Sequence, residues 1–170
     1  MVVWIFGLSG AGKSTLANEV VSLVRARQKA VVLLDGDMVR EAFGNDLGHS
    51  MADRLKNAER ICQIGKLLDD QGVDVVCAIL SLFPETREWN RRNLKSYREV
   101  FIDTPMTDLK TRDSKGIYRR FEAGEVRDVA GLDLVFPPPE NADLVIYNSG
   151  SRPELMKHAA VIAGWVMGLQ

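Results

Sequence analysis

Short apolar runs punctuate the chain at Val2–Phe6, Ala30–Leu34, Val73–Ile79, Val100–Ile102 and Leu144–Ile146. Each is too short for a buried helix and lacks the alternation of a strand with one wet face, so each predicts a strand covered on both sides. Between them, apolar residues recur at helical spacing near residues 14–27, 51–71, 85–97, 105–111, 115–123 and 152–168. Strand and helix thus alternate, which predicts an α/β fold built on a parallel sheet with helices on both faces. In such sheets ligands bind beyond the carboxyl ends of the strands, so chemistry is expected in the residues that follow each run.

The first of these places is the most informative. Gly7-Leu8-Ser9-Gly10-Ala11-Gly12-Lys13-Ser14 follows the first run directly, matches G-x-x-x-x-G-K-[ST], and leads through Thr15 into a helical pattern. In that setting Gly7, Gly10 and Gly12 allow torsions a side chain would block, and backbone N–H groups of the loop point at phosphate oxygens. Ser9, Ala11 and Thr15 complete the predicted triphosphate-binding segment, with Lys13 reaching the terminal phosphates and the Ser14 hydroxyl ligating Mg2+. After the second run stands Asp35-Gly36-Asp37, followed by Arg40. Carboxylates beside a bound triphosphate can orient Mg2+ and its waters or accept a proton from an attacking hydroxyl; Asp35 is the candidate for the metal and Asp37 for the base. In isolation the same segment reads as a turn whose Asp caps a short helix over Met38–Phe43, but its place after a parallel strand favours chemistry.

The helix predicted over 51–71 has an inward stripe of Leu55, Ala58, Ile61, Cys62, Gly65 and Leu68, and Arg54 and Asn57 fall on it or at its edge. An inward arginine needs an anionic or hydrogen-bonding partner, which a ligand at the sheet edge would supply. The alternative is a surface pair with Asp53 or Glu59.

Composition narrows the classes. At 170 residues and 46% apolar, the chain suits one domain over residues 1–170. A net charge of -1 provides no long-range field for a nucleic-acid polymer or an acidic membrane, whereas small phosphorylated ligands need only local cations. Cys62 and Cys77 lack metal-ligand spacing and predict buried free thiols. No apolar stretch approaches a membrane span, and Met1 leads straight into the first run without room for a signal peptide, so a cytoplasmic protein is expected.

Taken in order, the Gly7–Ser14 loop, Asp35-Gly36-Asp37-x-x-Arg40, Asn45-Asp46-Leu47-Gly48-x-Ser50, Asp53-Arg54-x-x-Asn57, Asp113-x-Lys115-Gly116-Ile117-Tyr118 and Gly131-x-Asp133 resemble the adenylylsulfate kinase family across most of the chain. The resemblance implies a P-loop kinase that moves the γ-phosphoryl group of ATP to the 3′-hydroxyl of a small nucleotide, usually as a homodimer. It matches Asp37 to the residue acting on that hydroxyl, Arg40, Arg54, Asn57 and Ser81 to the acceptor pocket, and Lys115 to a mobile lid at about residues 110–130. The lid also makes sense on its own: Lys110, Arg112, Lys115, Arg119, Arg120 and Arg127 cluster there, and a phosphoryl transition state needs cations that close over it. Most of those arginines are expected to pair with Glu122, Glu125 and Asp128, leaving Lys115 as the catalytic cation.

Departures from the family cluster on the acceptor. The two phenylalanines that hold adenine in the family are His49 and Val129 here, and the family's I-S-P-Y-R segment is Leu80-Ser81-Leu82-Phe83-Pro84. Each lost stacking contact is worth about 1–3 kcal/mol, enough to alter specificity. Two acceptors stay open at this level. One is adenylyl sulfate, held by His49 and aliphatic groups. The other is cytidine diphosphoramidate, the substrate of a branch of the family acting in bacterial surface-polysaccharide pathways, which Leu82-Phe83, Asn90-Arg91-Arg92-Asn93 and Gly131-Leu132-Asp133-Leu134 resemble. A GTPase is disfavoured by the lack of an N-K-x-D motif, and shikimate and adenylate kinases share the loop but not the D-G-D-x-x-R and D-R-x-x-N pairs. A nucleotide-binding module without catalysis is disfavoured by Lys13, Ser14 and Asp37 together.

Overall fold

The strands are β1 (Val2–Phe6), β2 (Val31–Asp35), β3 (Asp74–Ile79), β4 (Tyr97–Asp103) and β5 (Leu144–Tyr147). In the structure, a computed structural model that describes residues 1–169, they form one parallel sheet in the order β2-β3-β1-β4-β5. The helices are α1 (Lys13–Ala26), α2 (Gly36–Ala42), α3 (Met51–Asp70), α4 (Pro84–Asn93), α5 (Met106–Arg112), α6 (Ile117–Glu122) and α7 (Arg152–Met167).

Central strand β1 shows why a run without alternation was needed. Val3 and Ile5 face α1 and α7, packing with Leu16, Val20 and Ile162, while Val2, Trp4 and Phe6 face the opposite layer with Ile61 and Cys62 of α3. All five are fully buried, and each such side chain contributes about 1.5–3 kcal/mol of hydrophobic stabilisation. Because β1 lies between β3 and β4, the chain crosses over it after β3, and the phosphate loop emerges at the middle of the carboxyl edge.

The helix expected over 85–97 stops at Asn93, and β4 starts at Tyr97 rather than Val100. Tyr97, Arg98 and Glu99 pair in parallel with β1, and Glu99 is buried against the arginines of α4. A buried, ion-paired glutamate breaks the apolar pattern that marks a strand. The short helix expected at Met38–Phe43 begins instead at Gly36, with Asp35 as its N-cap accepting the Asp37 N–H at 2.9 Å. Cys62 and Cys77 are free and buried. Among the described residues no helix is long and apolar enough to cross a membrane.

Candidate active site

The loop after β1 is shaped by positions where no side chain fits. A Cβ on Gly7 would stand 2.5 Å from the Ile102 carbonyl oxygen, and Gly12, at φ +98°, would drive one to 2.6 Å from Leu155. Neighbouring segments brace the loop through hydrogen bonds: the Tyr118 hydroxyl donates to the Ser9 carbonyl at 2.8 Å, and Asn148 Nδ2 donates to the Ala11 carbonyl at 2.9 Å. Gly7 and Ala11 are buried beneath the loop, whereas Ser9, Gly10, Gly12, Lys13, Ser14 and Thr15 border a cleft of about 760 Å³ along the carboxyl edge of the sheet.

Lys13 Nζ donates to the Leu8 carbonyl at 2.7 Å, within its own loop. Burial, followed by the nearby Lys115 ammonium, lowers its pKa to about 8, against the opposing pull of Asp35 and Asp37. The Ser14 hydroxyl donates to Asp35 Oδ2 at 2.6 Å. That places two hard oxygen donors side by side at the mouth of the loop, a set that suits Mg2+ when substrate phosphates and water complete the shell. Among the described residues no cluster of three or more His, Cys, Asp or Glu offers an all-protein metal cage.

Across the cleft, Asp37 in the first turn of α2 is ion-paired with Lys115. Partial burial works to raise the Asp37 pKa, but the hydrogen bond and charge of Lys115, with Lys13 and Arg40 beyond it, hold it below the usual carboxylate value. Lys115 sits on the turn between α5 and α6. The buried Asp113 carboxylate fixes that turn by accepting the Tyr118 and Arg119 N–H groups at 3.2 and 3.0 Å. Of the arginines expected to pair with Glu122, Glu125 and Asp128, Arg120 meets Glu125, whereas Arg119 pairs with Asp113 and Arg112 reaches the Asn148 and Gly150 carbonyls; Glu122 is taken by Lys110 instead.

Arg40, His49, Arg54, Asn57, Ser81 and Val129 line the same cleft. Arg54 takes neither Asp53 nor Glu59; its Nε donates to the His49 carbonyl at 2.7 Å and its Nη2 to the Asp128 carbonyl at 2.9 Å, tying α3 to the loop that carries Val129. Arg40 Nη1 donates to the Leu47 and Gly48 carbonyls. Each guanidinium has five N–H donors, so both keep several for a ligand. Asn57 Oδ1 is buried with no partner among the described residues, an acceptor facing a cleft that a ligand donor would satisfy. His49 is largely exposed, and what desolvation it has, with the nearby Arg40 and Arg54, lowers its pKa. Val129 is buried, its N–H held by Asp133 at 2.6 Å.

Tyr118 and Asn148 went without a role in the sequence, although Tyr118 lies in a recognised motif and Asn148 directly follows β5. Phe83, Arg120 and Arg127 also border the cleft; the sequence marked them only as members of a segment or a cationic cluster, not individually as site residues.

A phosphate loop on a parallel sheet, a hydroxyl–carboxylate pair suited to a divalent cation, and a carboxylate paired with Lys115 across the cleft together define a P-loop phosphotransferase. The chain belongs to the adenylylsulfate kinase family: the family model described as Adenylylsulphate kinase matches residues 1–147. It is 40% identical over 152 residues to the adenylyl-sulfate kinase of Aeromonas hydrophila, covering 88% of this chain and 77% of that protein. It is 37% identical over 154 residues to the bifunctional enzyme NodQ of Rhizobium tropici, covering 89% of this chain but only 24% of NodQ. The APS kinase CysC of Mycobacterium tuberculosis, solved in complex with AMPPNP and APS, superposes with a TM-score of 0.87 at 34% identity over 98% of this chain and 96% of that one.

Proposed function

We propose that this protein transfers the γ-phosphoryl group of ATP to the 3′-hydroxyl of adenylyl sulfate, giving 3′-phosphoadenylyl sulfate and ADP. The observation that carries the reading is the convergence of Asp37, Arg40, Arg54, Asn57 and Ser81 on the cleft that the phosphate loop opens into, with Lys115 bridging the two sides. The loop amides and Lys13 hold the β- and γ-phosphates. Ser14 and Asp35 would hold Mg2+, which when bound neutralises charge on the phosphates.

The Lys115–Asp37 pair lies at an exposed site, where such pairs are worth about 0–1 kcal/mol, so arriving phosphates can draw Lys115 away. That exchange gives the γ-phosphoryl group a cation and frees Asp37 for the acceptor. The 3′-oxygen then attacks the γ-phosphorus, the bond to the β–γ bridging oxygen breaks, and ADP leaves. Asp37, released from Lys115, orients the hydroxyl and takes its proton late, as suits a loose transition state. Residues 1–170 form one kinase unit with a lid at about 110–130, acting in the cytoplasm and, as the family resemblance implies, as a homodimer.

The adenylyl-sulfate kinases among the relatives weigh for adenylyl sulfate over cytidine diphosphoramidate, even with His49 and Val129 at the plate positions. Turnover of a panel of 5′-substituted nucleotides with ATP tests this. Adenylyl sulfate should have the highest kcat/KM, and a tenfold preference for cytidine diphosphoramidate, equivalent to about 1.4 kcal/mol of transition-state binding, would transfer the protein to the other branch.

A further inference from the structure

Arg87 stands where a charge is expensive. It lies on α4 at 6% exposure, its guanidinium 4.8 Å from the centroid of the Phe6 ring, and its Nε is 3.8 Å from the buried Glu99, which Arg91 also approaches at 3.2 Å. A buried ion pair of such loose geometry adds little stability by itself, so the destination of the remaining arginine donors is informative. Nη1 donates to the Ser81 carbonyl at 3.1 Å and makes a long 3.5 Å approach to Ser81 Oγ. From the other side, the indole N–H of the fully buried Trp4 donates to Ser81 Oγ at 3.2 Å.

Ser81 itself is unusual. It holds a left-handed backbone, φ +56°, which costs a residue other than glycine free energy unless its surroundings enforce it. It is buried, and it forms part of the cleft wall next to Leu80 and Leu82. A hydroxyl has one proton and two lone pairs. With N–H donors arriving at the oxygen from Trp4 and Arg87, and with no acceptor for its proton among the described residues, the Ser81 O–H is left to donate to whatever enters the cleft.

We propose that Arg87, with Trp4 and the counter-charge of Glu99, is a positioning residue: it holds the Ser81 turn in its left-handed form and commits the Ser81 hydroxyl to donating a hydrogen bond to the anionic group of the acceptor nucleotide. This rests on the reading that the Ser81 end of the cleft takes the acceptor. Arg87 touches no substrate; it acts through Ser81.

The test is the KM for acceptor and for ATP, with kcat, in the wild type, Ser81→Ala, Arg87→Met, Trp4→Phe and the double variant Ser81→Ala/Arg87→Met. Acceptor KM should rise about tenfold in Ser81→Ala and in Arg87→Met and about threefold in Trp4→Phe, with ATP KM within about twofold of wild type. The double variant should be no worse than Arg87→Met, because the two changes remove one interaction. If Arg87→Met does not fold with Glu99 left to Arg91 alone, Arg87→Met/Glu99→Gln takes its place. Parallel rises in the ATP KM, or losses that add in the double variant, overturn the proposal. Every variant is measured with the nucleotide the wild type prefers in the panel above, so a wild type that prefers another nucleotide revises the function and leaves this test intact.

Discussion

The two sides of the cleft are made in different ways. The proposed donor side is eight consecutive residues whose backbone N–H groups are there to meet phosphates, and its shape is set by close approaches at Gly7 and Gly12. The proposed acceptor side is assembled from side chains on α2, α3, the turn after β3, the turn at Lys115 and the loop at Val129, held together by bonds such as those from Arg54 to the His49 and Asp128 carbonyls. Backbone recognition tolerates little change, because the geometry itself is the binding group. Side-chain recognition can be revised one residue at a time, and the departures from the family resemblance noted above, at His49, Val129 and Leu82, all fall there.

The comparison breaks most sharply at Lys13. Lys13→Ala should lower turnover about 10²–10³-fold while leaving the circular dichroism spectrum and the melting temperature close to wild type, because the Lys13 ammonium contacts only one loop carbonyl in the absence of phosphate. Turnover near wild type would remove the donor side from the mechanism. Next in size is Asp37→Asn, which should reduce kcat about 10²-fold with little change in the Kd of ATP. An effect confined to ATP affinity would make Asp37 part of the donor side.

The acceptor side is sharpened by restoring both plates. In His49→Phe/Val129→Phe, the ratio of kcat/KM for adenylyl sulfate over cytidine diphosphoramidate should rise about tenfold, because stacking worth about 1–3 kcal/mol per ring acts on both bases and only the excess of the larger purine counts in the ratio. Val129 is 3% exposed, so an added ring there needs room from the 129–134 loop, and thermal melting of the two single variants separates overpacking from specificity.

The smallest effect is a proton. Lys13 has a pKa of about 8 in the free protein, and bound phosphates raise it by favouring the ammonium. ATP binding should therefore take up a proton: roughly half of one at pH 8, more above it, and almost none below about pH 7, where Lys13 is already charged. Calorimetric titration in buffers of different ionisation heat reads this uptake directly. Lys13→Ala should abolish it, and uptake that persists in the variant would assign the proton to another group.

Much of this molecule is legible without coordinates. Strand β1 declares itself because a strand buried on both faces must be apolar throughout, and the phosphate loop because a backbone site needs glycines at fixed intervals. Strand β4 is blurred for the converse reason: Glu99 is polar but buried, its charge met by Arg87 and Arg91 from a helix that precedes it in the chain. Arg54 shows the same limit. Its place on the inner edge of α3 follows from a 100° period, but the choice between a surface carboxylate and the Asp128 carbonyl was decided by a loop 74 residues away.

What the sequence determined alone, then, is whatever depends on local periodicity or on one contiguous segment: the alternation of strands and helices, the two-faced sheet, the phosphate loop, and the candidacy of Asp35 and Asp37 after β2. Tertiary structure alone decided the pairings across the cleft. Lys115 meets Asp37, Tyr118 braces Ser9, Asn148 holds Ala11, and Arg87 with Trp4 grips Ser81. All of these but the Arg87–Ser81 contact join residues at least 77 positions apart, and no pattern along a sequence encodes a distance that arises only when separate elements pack.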